Sequence, residues 1–161
     1  MRTLINSLAL HLRKAKNTIT PIALSTLLSC ALLPAGSTYA TAGNVRVKID
    51  LSEQKMKVLI NGSTRHSWPV STARRGYRTA VGNYRPTRMH RRYFSKKYNG
   101  SPMPHSIFFY GGYAIHGTNQ IKRLGRPASH GCIRLHPNNA RKLFKLVRNN
   151  GPRNTRITIQ R

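Results

Sequence analysis

The chain is almost devoid of acidic side chains. Its 161 residues include only Asp50 and Glu53, against 29 Lys and Arg, and the formal net charge at pH 7 is +27. Glycoside hydrolysis by paired carboxylates is therefore disfavoured, because these two residues would have to flank the scissile bond. A carboxylate that orients a catalytic histidine is disfavoured for the same reason. The orienting group would be water, an amide side chain or a backbone carbonyl, and the carbonyl of Gly117, next to His116, is one candidate.

Long apolar runs are also absent. The apolar stretch over residues 21–34 has 14 residues, fewer than the ~20 that a membrane-spanning helix needs. Basic residues precede it, and Thr38-Tyr39-Ala40 resembles a signal-peptidase site. We predict a signal peptide over residues 1–40 and a domain over residues 41–161 that is exported to the periplasm or cell wall. The alternatives are a membrane anchor and lipidation of Cys30 in Leu27-Leu28-Ser29-Cys30.

Cysteine is equally scarce. The chain has two, Cys30 and Cys132, and Cys30 lies in the predicted signal peptide. The mature chain would keep Cys132 as a lone thiol, which cannot form an internal disulfide and is a liability in an oxidising compartment. Such a residue is either a reactive group or a small buried hydrophobe.

Positive charge is what the sequence has in excess. Residues 41–161 keep 25 of the 29 basic residues and both acids, a formal charge of +23. Charge of this size repels itself, so an anionic wall polymer, an anionic membrane surface or nucleic acid would stabilise the protein. Export argues against nucleic acid. A generically basic exported protein with no specific polyanion is the alternative, because the sign of the charge does not identify a partner.

Apolar residues alternate with polar ones over much of the chain. This pattern predicts strands near residues 45–51, 56–60, 68–70, 83–85, 107–110, 113–116 and 157–159. Residues 73–104 are otherwise interpreted as loops, with solvated charge runs such as Lys96-Lys97. One helix is predicted from Pro137 to Asn150, with Gly151 at its end. The fold is predicted to be mainly β, a sandwich or small barrel with one main helix.

Cys132 lies in a run that suits nucleophilic chemistry. Ser129-His130-Gly131-Cys132 places one histidine two residues away, and His116 lies 16 residues upstream. Either histidine could activate the thiol, and successive N–H groups around Gly131 could bind an oxyanion. Arg134 adds positive charge. The competing interpretation is a zinc site formed by His116, His130 and Cys132, but no carboxylate is near to support it.

These residues resemble the L,D-transpeptidase signature, also called the YkuD catalytic domain. The resemblance covers His116-Gly117-Thr118-Asn119 and the run from Arg126 to Leu135. Other segments follow in the family's order, among them Ile49–Gln54, Pro69–Thr72 and Ile107–Phe109. It implies a β-sandwich with one main helix. It also implies that Cys132 is the nucleophile, that His116 and not His130 is the base, and that the Gly117 carbonyl orients it. Ser129, His130, Gly131 and Arg134 would then form the oxyanion and substrate side.

The resemblance further implies a reaction. Cys132 would be acylated by the tetrapeptide stem of peptidoglycan with loss of the terminal D-amino acid, and the acyl group would pass to an amine. The product would be a 3–3 cross-link, an attached wall or outer-membrane protein, or an exchanged D-amino acid; with water the same site would be an L,D-carboxypeptidase. Carbapenems would inhibit it, and no cofactor is expected. A non-catalytic wall-binding module and a zinc-dependent amidase are the competing functions.

Overall fold

The computed structural model describes residues 44–161, and the predicted signal peptide and Cys30 lie outside them. Nine strands and one α-helix occur in this part of the chain. In chain order they are β1 Val45–Asp50, β2 Lys55–Ile60, β3 Ser63–Pro69, β4 Gly82–Tyr84, β5 Arg88–His90, β6 Ser106–Tyr110, β7 Tyr113–Gly117, β8 Ile133–Leu135, α1 Pro137–Asn150 and β9 Thr155–Gln160. Single 3₁₀ turns lie at Ile121–Arg123 and Pro152–Asn154.

The first sheet has the strand order β3-β2-β1-β9-β4. Strand β1 runs parallel to β9, and the other pairs are antiparallel. Val45, Val47 and Ile49 are buried while Arg46 and Lys48 are exposed, because successive side chains of a strand point to opposite faces. Strands β2 and β3 are joined by a two-residue turn at Asn61-Gly62, whose φ values of 51° and 83° are both positive, as such a hairpin turn requires.

The second sheet has the order β5-β6-β7-β8, with β7 and β8 parallel. Its central strand β6 is buried on both faces from Ser106 to Phe109. Residues 73–104 contain β4, as predicted near residues 83–85, and also β5, which was not predicted. The three-residue strand β8 was not predicted either, because so short a segment carries no periodicity of its own.

The helix α1 forms as predicted. Its N-terminal N–H groups are capped by His136, whose Nδ1 accepts a hydrogen bond from the N–H of Asn138 at 3.2 Å. Gly151 follows it with a φ of 87°. The buried face packs on the core and consists of Ala140, Leu143, Phe144 and Val147. No helix within residues 44–161 has the length and apolar character that crossing a membrane requires.

The main core lies between the inner faces of the two sheets and α1. A second, smaller cluster of Met103, Phe108 and Ala114 lies on the other face of the second sheet, and Cys132 packs against it. The predicted mainly β architecture with one helix is confirmed. The second sheet thus separates Cys132 from the main core.

Candidate active site

The parallel pairing of β7 and β8 brings Cys132 and His116 together. His116 pairs with Arg134, and Cys132 lies two residues before Arg134. It is therefore opposite Ala114, which contributes a backbone hydrogen bond to it. Paired residues point to the same face of a sheet, so Cys132, His116 and Arg134 all project from the outer face of the second sheet.

His116 is held in one orientation by the next residue. Its Nδ1 lies 2.7 Å from the carbonyl oxygen of Gly117. A carbonyl only accepts, so Nδ1 carries the proton and Nε2 keeps its lone pair. The imidazole is buried, and burial lowers the pKa of His116 to about 4; the bond to Gly117 opposes this shift and the charge of Arg134 adds to it. At neutral pH the side chain is an uncharged base.

The thiol of Cys132 is half-buried. Burial raises the pKa of Cys132 above its ordinary value, although the backbone hydrogen bond from Ala114 and the charge of Arg134 oppose the shift. The Sγ atom also donates a long hydrogen bond to the carbonyl of Gly112, at 3.9 Å. The thiol is therefore protonated at neutral pH.

Ser129 fixes the loop that carries Cys132. Its Oγ donates to the carbonyl of Cys132 at 2.6 Å and accepts from the N–H of Gly131 at 3.0 Å. Its backbone N–H donates to Thr72 and its carbonyl accepts from Arg74. The side chain is fully buried. The hydroxyl of Ser129 and the N–H of Gly131 are thus engaged within the loop, and the place of both residues on the oxyanion and substrate side stays a prediction. The N–H groups of His130 and Cys132 remain as candidate oxyanion donors.

Gly131 occupies a position that has no space for a side chain. Its φ is 128°, and a Cβ built there would lie 2.5 Å from the ring of Tyr113 and 2.8 Å from the carbonyl of Arg78. The Gly131 carbonyl accepts a hydrogen bond of 2.9 Å from Thr79. The ring of Tyr113, the backbone of Arg78 and the hydroxyl of Thr79 therefore fix the turn that precedes Cys132.

His130 is held by two tyrosines. Its ring stacks on Tyr98 at 4.6 Å between centroids, and Tyr77 meets it edge-on at the same distance. Burial lowers the pKa of His130, and the charges of Arg74, Arg134 and Lys97 lower it further. The ring of His130 is therefore held by aromatic contacts. His116 is the better candidate base, because the carbonyl of Gly117 fixes its tautomer with Nε2 as the acceptor.

A cavity of about 310 Å³ opens over both candidate reacting groups. Arg134 on its wall donates to the side chain of Gln120 at 2.8 Å and ties the loop after β7 to β8. The lining residues are Ser95, Tyr98, Ser101, Pro102, Met103, His116, Thr118, Asn119, Gln120, Ser129, His130, Cys132 and Arg134. The structure therefore brings together His116, Ser129, His130, Cys132 and Arg134 as predicted. Gly117 and Gly131 do not line the cavity; they contact His116 and Ser129, which do.

The sequence did not identify one wall of this cavity. Residues 95–103 reach the cavity from the long loop between β5 and β6, whose charge runs predict a solvated loop with substrate contact as the alternative. The available signal in the sequence is Tyr98, because an aromatic residue beside a tight turn in a basic loop needs a packing partner. The turn is Asn99-Gly100, with φ values of 45° and 67°. Gln54 and Thr72 were also missed. They join side chain to side chain at 2.6 Å across 18 residues.

The zinc interpretation receives no support from this geometry. Within residues 44–161 no three His, Cys, Asp or Glu side chains are grouped so that they could hold a metal ion. His116 already uses Nδ1 on a carbonyl, and His130 lies between two tyrosine rings.

Two features define the class of this protein. The fold consists of two packed sheets with one helix, and the site holds Cys132 beside a histidine that a backbone carbonyl orients, both on the outer face of the second sheet. The YkuD family profile, described as an L,D-transpeptidase catalytic domain, matches residues 44–159. The chain belongs to this family.

Known relatives agree with this assignment. The putative L,D-transpeptidase YkuD of Bacillus subtilis (strain 168) is 43% identical over 49 residues, which are 30% of this chain and 27% of that protein. An L,D-transpeptidase from Mycobacterium smegmatis superposes with a TM-score of 0.65 at 20% identity, over 74% of this chain and 59% of that one. The structure of LD transpeptidase LdtMt1 in complex with imipenem gives 0.64 at 20% identity, over 73% and 59%. The chain therefore spans only part of each of these relatives.

Proposed function

We propose that this protein is a peptidoglycan L,D-transpeptidase that works through an acyl-thioester on Cys132. The observation that carries the proposal is the shared face of β7 and β8, from which Cys132 and His116 open onto one cavity with His116 Nδ1 bound to Gly117. Membership of the YkuD family supports the reaction class. The proposed donor is a tetrapeptide stem, and the proposed site of action is the periplasm or cell wall after removal of residues 1–40.

The two neutral groups suggest the order of events. His116 Nε2 takes the thiol proton as Cys132 Sγ attacks the carbonyl carbon ahead of the terminal D-amino acid. The proposed donors to the resulting oxyanion are the N–H groups of His130 and Cys132. The C–N bond then breaks, and His116 returns the proton to the departing amine.

Deacylation reverses these roles. An amine of a second stem or of a wall or outer-membrane protein attacks the thioester and gives its proton to His116. The C–S bond breaks, and the sulfur of Cys132 takes the proton back from His116. Water in place of the amine would give L,D-carboxypeptidase activity from the same intermediate. We expect the acceptor to contact the cavity lining contributed by residues 95–103 and 118–120.

The proposal is tested by intact mass after incubation with imipenem, the ligand of the LdtMt1 structure. We expect a stable adduct on the wild type and none on Cys132→Ala. Release of the terminal D-amino acid from a tetrapeptide stem, with and without an added acceptor amine, then separates transpeptidation from hydrolysis. A folded wild type that gives neither adduct nor release would contradict the proposal and favour a non-catalytic wall-binding module.

A further inference from the structure

The outer face of the first sheet carries basic residues directly opposite each other. Lys48 on β1 pairs with Lys57 on β2, and Arg46 on β1 pairs with Arg156 on β9. All four side chains are exposed. Like charges on paired positions of neighbouring strands destabilise a sheet. We call these four residues the basic face.

Within residues 44–161 no salt bridge neutralises the four residues of the basic face. The one salt bridge there joins Lys55 and Glu53 at 3.7 Å. The other acid, Asp50, is engaged by Ser52 and Gln160 at one end of the sheet. Both acids line a groove with Lys48 and Lys57 and offset part of the lysine charge; solvent ions or a bound anionic partner balance the rest.

Depressions flank the basic face at either side. A groove of about 340 Å³ is lined by Lys48, Lys55 and Lys57 and also by both acids, Asp50 and Glu53, so it favours anions less than the neighbouring strands do. A cleft of about 240 Å³ at the opposite side is lined by three arginines, Arg85, Arg153 and Arg156. The positive charges thus follow a track from β2 across β1 and β9 to β4, about 14 Å at the usual spacing of strands.

We propose that this track binds a linear polyanion whose anionic groups repeat at short intervals. A flexible chain can place successive negative groups along the basic face and in the arginine cleft, whereas a single small anion can reach only one of them. A membrane surface fits less well, because the large exposed apolar side chains are Tyr77, Val81, Phe94, Tyr110 and Ile121, none of them on these strands. The inference does not rest on the proposed function.

The position of the track has a functional consequence. It lies on the outer face of the first sheet, and Cys132 and His116 lie on the outer face of the second sheet, with the main core between them. A polymer on the track would therefore hold the protein and leave the cavity over Cys132 open to other molecules.

The test uses two variants of equal net charge. The face variant is Arg46→Gln, Lys48→Gln, Lys57→Gln and Arg156→Gln. The helix variant removes four exposed charges from α1 by Arg141→Gln, Lys142→Gln, Lys145→Gln and Arg148→Gln.

Binding of long-chain inorganic polyphosphate is measured by titration calorimetry over a range of salt concentrations. We expect the face variant to bind more than about tenfold more weakly, with a slope of log K against log salt that is smaller by about 3, as loss of four contacts to a flexible polyanion predicts. The helix variant should stay near wild type.

Four results would overturn the proposal. Equal weakening in both variants would mean that only net charge matters. Displacement of the polymer by inorganic phosphate at the same total phosphate concentration would indicate a site for single phosphate groups. Tighter, face-dependent binding to vesicles of anionic phospholipid than to polyphosphate would assign the track to a membrane. Adduct formation by imipenem at saturating polymer should remain at the wild-type rate, and inhibition would place the polymer over Cys132 instead.

Discussion

At the level of single residues, the candidate nucleophile and its candidate base are both kept neutral. Burial disfavours the charged form of each group, so it raises the pKa of Cys132 and lowers the pKa of His116. A thiolate is the form that oxidants attack, so a protonated Cys132 resists oxidation between turnovers. The proton of Cys132 would then pass to His116 only as the sulfur attacks a substrate carbonyl.

This neutral pair predicts the pH dependence of acylation. The rate should fall as pH decreases through about 4, where His116 becomes protonated, and should be level from about 5.5 to about 8 because the base is already neutral there. Stopped-flow measurement of imipenem acylation would give this profile, with the fluorescence of the single tryptophan, Trp68, as the check that the fold persists. A rate that rose tenfold per pH unit from about 7 to about 9 would instead indicate a preformed thiolate.

Gly131 provides a second prediction for a single residue. Gly131→Ala should lower the free energy of unfolding by about 3 kcal/mol or more, because an added Cβ meets Tyr113 and Arg78 in a conformation that is strained for any L-residue. Gly125→Ala is the control, since Gly125 has a φ of 86° and open space around its Cβ position, so strain alone should cost about 1–2 kcal/mol. Urea denaturation measures both. Equal losses would show that the contacts with Tyr113 and Arg78 can relax.

At the level of elements, the sequence predicted the strands and the helix that show a periodic pattern of apolar residues. Alternation in β1 and β2 and the apolar face of α1 were sufficient, because each is set by local periodicity. Strands β5 and β8 have three residues each and exist through pairing with β6 and β7. The pairing of His116 with Arg134 across 18 residues of chain could not be read from either segment alone.

The candidate site was predictable to a similar extent. Cys132 stood out as a lone thiol, and the choice of His116 over His130 came from the resemblance to a family. The aromatic support of His130 by Tyr77 and Tyr98 depends on loop conformations that have no periodic signature. The engagement of Ser129 and Gly131 within the loop appears only once their hydrogen bonds are known.

Thr72 links the β1–β2 turn to the loop that carries Cys132. Its side chain accepts from Gln54 at 2.6 Å, its N–H donates to Gln54 at 2.9 Å, and its carbonyl accepts from Ala128 and Ser129. Gln54 is buried and has a φ of 49°. The geometry of the loop at Ser129 is therefore coupled to a turn distant in sequence.

We expect Thr72→Val to lower the free energy of unfolding by about 1–3 kcal/mol, because the buried amide of Gln54 loses a partner. Gln54→Met should cost more, since it also leaves the N–H of Thr72 without its acceptor. A double-mutant cycle measured by urea denaturation should give a coupling of about 0.5–3 kcal/mol between the two positions. Thr64→Val, on the exposed face of β3, is the control and should change stability little. Additive losses would contradict direct coupling.

At the level of the whole molecule, two outer sheet faces have different roles in these proposals. The face of the second sheet holds a half-buried thiol and a buried imidazole, and the face of the first sheet holds unpaired positive charge. The core between them is apolar and continuous with α1. Because the four residues of the basic face lie on the side opposite the cavity, substitutions in the basic face should leave the cavity unaltered.

The net charge predicts how salt affects stability. Residues 41–161 carry a formal charge of +23, and this repulsion is stronger in the compact state than in the unfolded chain. Raising sodium chloride from about 50 mM to about 500 mM shortens the Debye length from about 14 Å to about 4 Å, so the free energy of unfolding should rise. Urea is the denaturant of choice because it adds no ions.

Replacing Arg46, Lys48, Lys57 and Arg156 with glutamine should reduce the salt effect more than the four substitutions on α1 do, because the sheet residues face one another in pairs. A free energy of unfolding that fell with added salt would mean that attractive charge pairs outweigh this repulsion.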